Sequence, residues 1–202
     1  MLNIIKFYIP VFSGKPFKDI DSNESFEESK NMIKTKKLFI SHSAKDKEIV
    51  DQFVNFLSYD LGLVAEKEYF YSSEEGSGVS LGESIDDRLR SELNDNDCLF
   101  VAMFSRNYFE SYACWFELGV RWGKDLKLLG IIIDPDEDVQ RKSINVSKDV
   151  RIITYSNLIN KSKVRQEIQD KVFEHLEKQN SPKNGEYSKF YDEFLRLVRE
   201  HN

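Results

Sequence analysis

The sequence predicts an α/β fold in which helices cover both faces of a five-stranded parallel sheet. Three observations lead to this prediction. Short apolar runs of strand length alternate with segments in which apolar residues recur every three or four positions. Most of the short runs end at polar or glycine-containing sequence, as strands do before a loop. The alternation continues through five strands, which favours the flavodoxin-like strand order.

The predicted strands are five apolar runs: Leu38–Ile40, Tyr69–Tyr71, Leu99–Phe104, Leu128–Ile133 and Val150–Tyr155. Helical periodicity lies between or after them at three sets of positions: Ile49, Val50, Phe53, Val54, Phe56 and Leu57; Ile85, Leu89 and Leu93; Val164, Ile168, Val172 and Leu176. Together these elements account for a regular β–α alternation that begins at Lys37.

The segment after the third strand predicts one helix from Ser105 to Gly119. Its expected apolar face consists of Phe109, Tyr112, Ala113, Phe116 and Val120. Glu117 lies at the edge of that face. A carboxylate in aromatic surroundings loses hydration, so its charge becomes available to a cationic partner. Ligands of open α/β folds bind at the carboxyl ends of the strands, where this acid is expected.

Three regions follow from the pattern. Residues 1–36 are an N-terminal extension, with an apolar strand or docking segment followed by a polar linker. Residues 37–179 are the α/β domain. Residues 180–202 are a C-terminal appendage with an amphipathic helix, whose apolar stripe is expected to pack within the chain: Tyr187, Phe190, Tyr191, Phe194, Leu195 and Val198.

Composition restricts the function classes. The 202 residues carry a net charge of −6 and are 40% hydrophobic, which suits a folded domain and argues against general nucleic-acid binding. The N-terminal apolar run is too short to span a bilayer and lacks a signal-peptide cleavage site, so we expect a cytoplasmic protein without membrane association. Cys98 and Cys114 are expected to be reduced thiols, and with three His they are too few for a metal site.

Several protein classes share this architecture, and the residues at the strand ends distinguish them. A phospho-accepting receiver domain needs an acidic pair after the first strand and an Asp after the third. The chain instead has Ser41-His42-Ser43 and Ser105 at these places. A flavodoxin needs a hydroxyl-rich phosphate loop, for which Ser41 and Ser43 before a helix are a weak signal.

Three motifs lie in order along the chain: Leu38–Ser43 with Asp46, Tyr71-Ser72-Ser73 with Gly78–Gly82, and Ser105–Gly119. Together they resemble the Toll/interleukin-1 receptor (TIR) domain family, and its bacterial branch most closely. The Leu38–Ser43 run with Asp46 is similar to the first motif of that family. The Tyr71-Ser72-Ser73 strand end with Gly78–Gly82 resembles its second strand and BB loop. The Ser105–Gly119 series resembles the third motif, in which the Glu is catalytic. The resemblance covers about residues 37 to 157, within the predicted domain.

The resemblance implies that the chain cleaves the nicotinamide–ribose bond of NAD⁺, which is then a substrate and not a bound cofactor. It implies Glu117 as the catalytic residue. Our predicted substrate contacts are seven residues of the three motifs: Ser41, His42, Ser43, Asp46, Ser80, Tyr112 and Cys114. No metal is expected.

This chemistry suits a single carboxylate. The leaving group is a pyridinium that departs as neutral nicotinamide, so no general acid is required. Positive charge builds on the ribose, as in glycosidases, and one preorganised carboxylate can stabilise it. Peptide or phosphate-ester hydrolysis would also need a nucleophile, a base or a metal.

The chain departs from the family at one position of the third motif. Many members carry a Trp four residues before the catalytic Glu, where this chain has Ala113. Trp115 lies about 200° around the helix from Glu117 at 3.6 residues per turn, so it is poorly placed to replace that ring. Tyr112 or an aromatic residue of another segment is expected to take its place.

Structural interpretations compete with these functional ones. Glu117 can pair with Arg121 one helical turn away, and His42 can bond to backbone at a strand end. Ser41 and Ser43 can cap the following helix. The glycine-rich loop from residue 76 to 82 can be a lid, an assembly contact or a long surface turn.

Three functions remain open from the sequence. The first is an NAD⁺ glycohydrolase or cyclase that gives nicotinamide and ADP-ribose or a cyclic ADP-ribose signal, serving anti-phage immunity together with a separate effector protein. The second is a non-catalytic TIR adaptor that signals by self-association through TIR surfaces. The third is a nucleotide-binding regulator without turnover. The retained Glu117 favours the first.

Overall fold

The computed structural model describes residues 34–71, 91–94, 96–147, 152–160, 163–179 and 188–200. Five strands form one sheet: β1 (Thr35–Ser41), β2 (Tyr69–Tyr71), β3 (Asn96–Phe104), β4 (Leu128–Ile132) and β5 (Ile152–Ile153). All neighbouring strands are parallel and their order is β2-β1-β3-β4-β5. The predicted flavodoxin-like five-stranded parallel sheet is therefore confirmed.

Helices lie between strands and after the last one. They are α1 (Lys47–Asn55), α2 (Arg106–Glu110), α3 (Tyr112–Gly123), α4 (Glu137–Ser147), α5 (Tyr155–Asn160), α6 (Val164–Leu176) and α7 (Lys189–Glu200). A 3₁₀ turn (Ala44–Asp46) precedes α1, a π-helical turn (Phe56–Asp60) follows it, and residues 91–94 are helical. None of the helices in the described part of the chain is long and apolar enough to cross a membrane.

The sheet is buried on both faces, which explains why its strands appear as continuous apolar runs. Alternate residues of β3 point to opposite layers. Leu99, Val101 and Met103 belong to the layer packed against α1, α6 and α7, and Phe100 and Phe104 belong to the layer with α2 and α3. These two apolar layers, one on each face of the sheet, fix the positions of the strand ends. The polar residues that follow the strand ends are fixed as a result.

The C-terminal helix α7 packs on α1, as its amphipathic pattern predicts. The rings of Phe194 and Phe53 lie 5.5 Å apart, and those of Tyr191 and Phe56 lie 5.1 Å apart. Phe194 is fully buried. The apolar stripe of this helix is therefore covered within the chain.

The glycine in β4 leaves room for side chains of the neighbouring strands β3 and β5. A Cβ atom at Gly130 would lie 2.9 Å from Cε2 of Phe104 and 3.4 Å from Cγ1 of Ile152. Any side chain at this position would therefore require the Phe104 ring to shift.

The predicted single helix from Ser105 to Gly119 is wrong, because the chain forms two helices there. Ser111 between them is extended, with φ −87° and ψ 119°. Two serines with the same cap geometry begin the helices. The Ser105 hydroxyl accepts from the backbone N–H of Tyr108 at 2.9 Å, and the Ser111 hydroxyl accepts from that of Cys114 at 3.4 Å. Ser111 is thus a second N-cap, and it interrupts the helical spacing of apolar residues on which the prediction of one helix was based.

The interruption also changes the buried face of the second helix. Cys114, Glu117 and Leu118 are buried, whereas Tyr112 is 92% exposed and Phe116 is 43% exposed. The predicted apolar face through Tyr112 and Phe116 is therefore wrong for α3. Phe109, in α2, is buried as predicted.

Smaller differences concern element ends. Strand β1 begins at Thr35, before the predicted Leu38, and β5 ends at Ile153, before the predicted Tyr155, because Tyr155 already begins α5. The predicted N-terminal strand and linker up to residue 33, the Gly78–Gly82 loop and Val150 lie outside the described residues.

Candidate functional site

Buried polar side chains gather where β1 and β3 end. The two strands are neighbours and parallel, with Ser41 of β1 opposite Ala102 of β3, so their carboxyl ends share one edge of the sheet. Six polar residues at this edge are buried: Ser41, His42, Ser43, Asp46, Ser105 and Glu117. Polar groups removed from water require partners, and such partners define the cluster.

Glu117 is linked to β1 through a chain of hydroxyl groups. The Ser41 hydroxyl donates to Oε2 of Glu117 at 2.6 Å, and the Tyr108 hydroxyl lies 3.0 Å from Oγ of Ser41. A serine hydroxyl has one proton, so Tyr108 is the donor to Ser41. Burial raises the pKa of Tyr108 well above its usual range, which keeps this donor protonated. Glu117 itself is 4% exposed.

A second set of hydrogen bonds fixes the segment that carries Tyr108. The Ser105 hydroxyl donates to Oδ2 of Asp46 at 2.5 Å, and the Asn107 side-chain amide donates to Oδ1 of Asp46 at 2.7 Å. Asp46 is 1% exposed. This carboxylate therefore ties the start of α2 to the turn after β1, and Tyr108 is positioned as a consequence.

His42 brings a buried imidazole to the same edge. It is 5% exposed, and its Nδ1 has no hydrogen-bond partner among the described residues. Burial lowers the pKa of His42 below 6.5, although a hydrogen bond to the backbone of Ile40 and, to a smaller extent, the negative charge of Asp46 act in the opposite direction. The bond to Ile40 agrees with the interpretation of His42 as a strand-end histidine bonded to backbone. The ring is consequently neutral at neutral pH, with one polar atom left to interact with a ligand.

Ser43 caps the turn that precedes α1, as the structural interpretation of this residue predicts. Its hydroxyl accepts a long 3.4 Å hydrogen bond from the backbone N–H of Lys45. The competing pairing of Glu117 with Arg121 finds less support, because Nε of Arg121 donates to the carbonyl of Leu126 at 2.9 Å.

The other predicted contact residues are placed differently. Cys114 is 1% exposed, and burial raises the pKa of its thiol to about 12 with the Glu117 charge as a smaller cause, so it is a packed thiol and not a nucleophile. Tyr112 is on the exposed side of α3. Ser80 lies outside the described residues. Trp115 packs on Phe109, with ring centroids 5.7 Å apart, and its Nε1 donates to the Phe109 carbonyl at 2.9 Å.

The residues that sequence reasoning missed are Tyr108, Ser105 and Asn107. The third motif included Tyr108 without a role in the site. The available signal was the position of Tyr108, three residues after Ser105 at the end of a strand. Ser105 caps the helix that follows, and the residue three positions after the cap then faces inward. Tyr108 is 1% exposed and is the aromatic side chain that reaches the hydroxyl next to Glu117.

No group of three or more His, Cys, Asp or Glu suited to hold a metal occurs among the described residues. Two cavities of the described part lie away from Glu117. One is lined by Lys34, Leu93, Asp97 and residues 124–127, near the amino ends of the strands, and the other by residues of α4. The polar edge itself is defined by two sets of hydrogen bonds, one that joins Glu117, Ser41 and Tyr108 and one that joins Asp46, Ser105 and Asn107.

Comparisons with known proteins find similarity to a curated protein and to solved structures, and no family model matches the chain. The uncharacterized protein YddK of Bacillus subtilis (strain 168) is 36% identical over 97 residues, which are 48% of this chain and 35% of YddK. The matched segment thus spans about a third of that relative. Among solved structures, the TIR domains of the activated Roq1 resistosome directly recognizing the pathogen effector XopQ are similar, with a TM-score of 0.40 and 16% identity over 82% of this chain and 98% of that one.

Proposed function

We propose that this chain is a TIR-family enzyme that cleaves the bond between nicotinamide and ribose in NAD⁺, with the Glu117 carboxylate as its catalytic group. The observation that carries the proposal is the position of this acid. Glu117 is 4% exposed, at the edge of the sheet where β1 ends, and it accepts a hydrogen bond from Ser41. The choice of reaction rests on the three sequence motifs that resemble the family.

The proposed reaction asks for charge stabilisation and not for a strong base. The glycosidic C–N bond breaks, and its electron pair goes to the pyridinium nitrogen, which leaves as neutral nicotinamide. Positive charge remains at C1′ of the ribose. A carboxylate held in place beside this carbon stabilises the charge, since the interaction is strong where water is excluded. Water then adds to C1′ and loses a proton to give ADP-ribose, or an adenine nitrogen attacks to give a cyclic product.

The side chains around Glu117 support different parts of this reaction. Ser41 and Tyr108 are positioning residues, because their hydroxyl chain orients the carboxylate. His42 is assigned to the substrate through its buried Nδ1, which can bond to a ribose hydroxyl or a phosphate oxygen. The exposed Tyr112 and the packed thiol of Cys114 have no direct part in this version of the site.

A product assay tests the proposal. Purified full chain is incubated with NAD⁺ at several protein concentrations, and nicotinamide is measured by chromatography with mass spectrometry. Glu117→Gln keeps the side-chain size and removes the charge, so we expect nicotinamide release to fall by about 10²- to 10³-fold, as for loss of one preorganised electrostatic group. Glu110→Gln, an exposed acid seven residues earlier, is the matched control and should retain full activity.

The same assay separates the competing functions. Bound NAD⁺ without release of nicotinamide would indicate a nucleotide-binding regulator. Neither binding nor release at any concentration would favour the adaptor interpretation. Masses of ADP-ribose and its cyclic form differ by one water, so a single chromatogram also assigns the product.

The biological role is proposed from the resemblance alone. In the bacterial branch of the family this activity commonly serves immunity against phage, and a product can act as a messenger for a separate effector protein. NAD⁺ levels in cells that express wild-type protein or Glu117→Gln during phage infection test this role. Depletion that depends on Glu117 supports it, and equal levels in both strains contradict it.

A further inference from the structure

A cavity of about 500 Å³ lies near the amino ends of the strands, at the edge of the sheet opposite to the polar edge. The segments that lead into β1, β3 and β4 meet there. Clefts of this volume hold small organic molecules. The lining includes lysines, aspartates and leucines: Lys34, Leu93, Asp97, Asp125, Leu126 and Lys127.

The charged groups around this cavity are not paired with one another. Four of them have no side-chain hydrogen bond or ion pair within the described part of the chain: Lys34, Asp97, Asp125 and Lys127. Other lysines at this edge do have partners. The ammonium group of Lys36 pairs with Glu177 at 2.7 Å, and that of Lys124 donates to the Asn94 side chain. Ammonium groups and carboxylates that line one cavity without pairing suit a ligand with an anionic group and several hydrogen-bond donors.

The turn after α3 holds Asp125 in a backbone conformation that favours glycine. Its φ is 51°, in the left-handed region. The Leu126 N–H donates to the Arg121 carbonyl at 3.1 Å. The Asp125 N–H donates to the Trp122 carbonyl at 3.3 Å, which completes a Schellman motif. Glycine is the usual residue at this position of the motif, and non-glycine residues strained in this way cluster at ligand sites. The chain therefore keeps a carboxylate at the cavity although glycine would stabilise the turn.

We propose that this cavity binds a nucleoside monophosphate. The ammonium groups of Lys34 and Lys127 pair with the phosphate, since lysine binds phosphate as a point charge. The carboxylates of Asp97 and Asp125 accept hydrogen bonds from the ribose hydroxyls or from an amino group of the base, as acidic residues do in dinucleotide sites.

The apolar part of the lining favours a nucleotide over a simple anion. Leu93 and Leu126 lie beside the charged groups and offer contact to the base or the sugar. Inorganic phosphate would use the two lysines alone and leave the carboxylates and the leucines without a role. A free amino acid carries both charges, but it is much smaller than the cavity.

This site is separate from the proposed catalytic one. Lys124 at the end of α3 follows Glu117 by seven residues, which is about 10 Å along the helix. Glu117 points to the carboxyl end of β1, where it accepts from Ser41, whereas the cavity is at the amino ends of the strands. Nucleotide binding here therefore does not depend on the proposed cleavage of NAD⁺.

Isothermal titration calorimetry of the full chain with adenosine 5′-monophosphate (AMP) tests the site. We expect a Kd of about 100 µM. Adenosine and inorganic phosphate each lack part of the proposed contacts, so each should bind at least about tenfold more weakly. Lys34→Gln and Lys127→Gln should each raise the Kd for AMP by about tenfold, because each removes a charged donor to the phosphate. Lys163→Gln removes the same charge from an exposed position before α6, and it should leave the Kd unchanged.

Asp125→Gly distinguishes a ligand site from an ordinary surface turn. Glycine relieves the left-handed backbone, so the melting temperature should rise by about 1–3 °C. The Kd for AMP should rise by about tenfold in the same variant, because a carboxylate acceptor is lost. Glu66→Gly replaces another exposed residue with positive φ, 61°, and is the control that should leave the Kd unchanged.

Three results would overturn the proposal. The first is an absence of AMP binding up to about 5 mM ligand. The second is AMP binding that Lys127→Gln and Asp125→Gly leave unchanged, because the nucleotide would then occupy another part of the chain. The third is inorganic phosphate that binds as tightly as AMP, because the cavity would then recognise an anion and not a nucleotide.

Discussion

Replacing Ser41 by alanine removes the hydroxyl that links Tyr108 to Glu117. The carboxylate loses a donor at 2.6 Å, and the buried Tyr108 hydroxyl loses its acceptor at 3.0 Å. A hydrogen bond to a charged group contributes about 1.5–3 kcal/mol and a neutral one about 1 kcal/mol. Together these losses predict that Ser41→Ala lowers the free energy of unfolding by about 2–4 kcal/mol. A shift of the urea midpoint at constant m-value measures it.

Ser43→Ala is the matched control for this change. Ser43 is also buried in the turn after β1, but its hydroxyl accepts a single long hydrogen bond of 3.4 Å. Its replacement should cost about 1 kcal/mol or less, within the usual range for a serine cap. Equal losses for Ser41→Ala and Ser43→Ala would refute the assignment of Ser41 as the donor to Glu117.

A double-mutant cycle isolates the Ser41–Glu117 contact from the rest of the network. Ser41→Ala, Glu117→Gln and the double variant are unfolded in urea under the same conditions. Direct contact predicts a coupling free energy of about 1–2 kcal/mol, whereas independent sites add within about 0.5 kcal/mol. Additivity would contradict the hydrogen bond on which the orientation of the carboxylate depends.

Three further predictions concern the rest of the molecule. Phe194→Ala should lower the free energy of unfolding by about 3–5 kcal/mol in urea titrations, because this ring is fully buried between α7 and α1; a loss below about 1 kcal/mol would contradict that packing. Burial lowers the pKa of His42 and His175 below 6.5, so the unfolded chain binds more protons than the folded one at acidic pH. The free energy of unfolding should therefore fall as the pH drops below 6.5, by up to about 1.4 kcal/mol per pH unit for each His. Urea midpoints that do not change with pH would contradict this. Gly130→Ala should cost about 1–3 kcal/mol in the same titrations because its Cβ meets the Phe104 ring, and a neutral effect would show that this ring moves easily.

The sheet was predictable from the sequence because its strands are buried on both faces. Continuous apolar runs such as Leu99–Phe104 occur where helices cover both sides of a parallel sheet, and strand β3 confirms this interpretation. The motif that follows β1 likewise indicated a polar strand end, and Ser41 and His42 are buried there. In these cases the local pattern and the tertiary environment agree.

The orientation of α3 was not predictable from the same periodicity. Ser111 begins a new helix, and this resets the helical phase, so the side chains of Tyr112 and Phe116 face outward and Cys114 faces inward. A serine inside an apparently continuous helical pattern is compatible with either a cap or an interior position. Tertiary packing of Cys114 and Leu118 decides between the two, and packing has no signature in local sequence.

The network around Asp46 was also beyond sequence reasoning. Its carboxylate accepts hydrogen bonds from Ser105 and Asn107, which lie about 60 residues later in the chain. Nothing in the spacing of these residues along the sequence indicates the contact. It follows from the pairing of β1 with β3, which brings the two strand ends together.

Nicotinamide release and NAD⁺ affinity, measured on one preparation each of wild-type protein and Glu117→Gln, test the central claim most directly. A carboxylate that stabilises developing positive charge acts in the transition state more than in the bound ground state. We therefore predict that release at saturating NAD⁺ falls about 10²-fold or more in the variant, while the Kd from calorimetry changes by less than about threefold. Equal rates of release in the two proteins would contradict the catalytic role of Glu117.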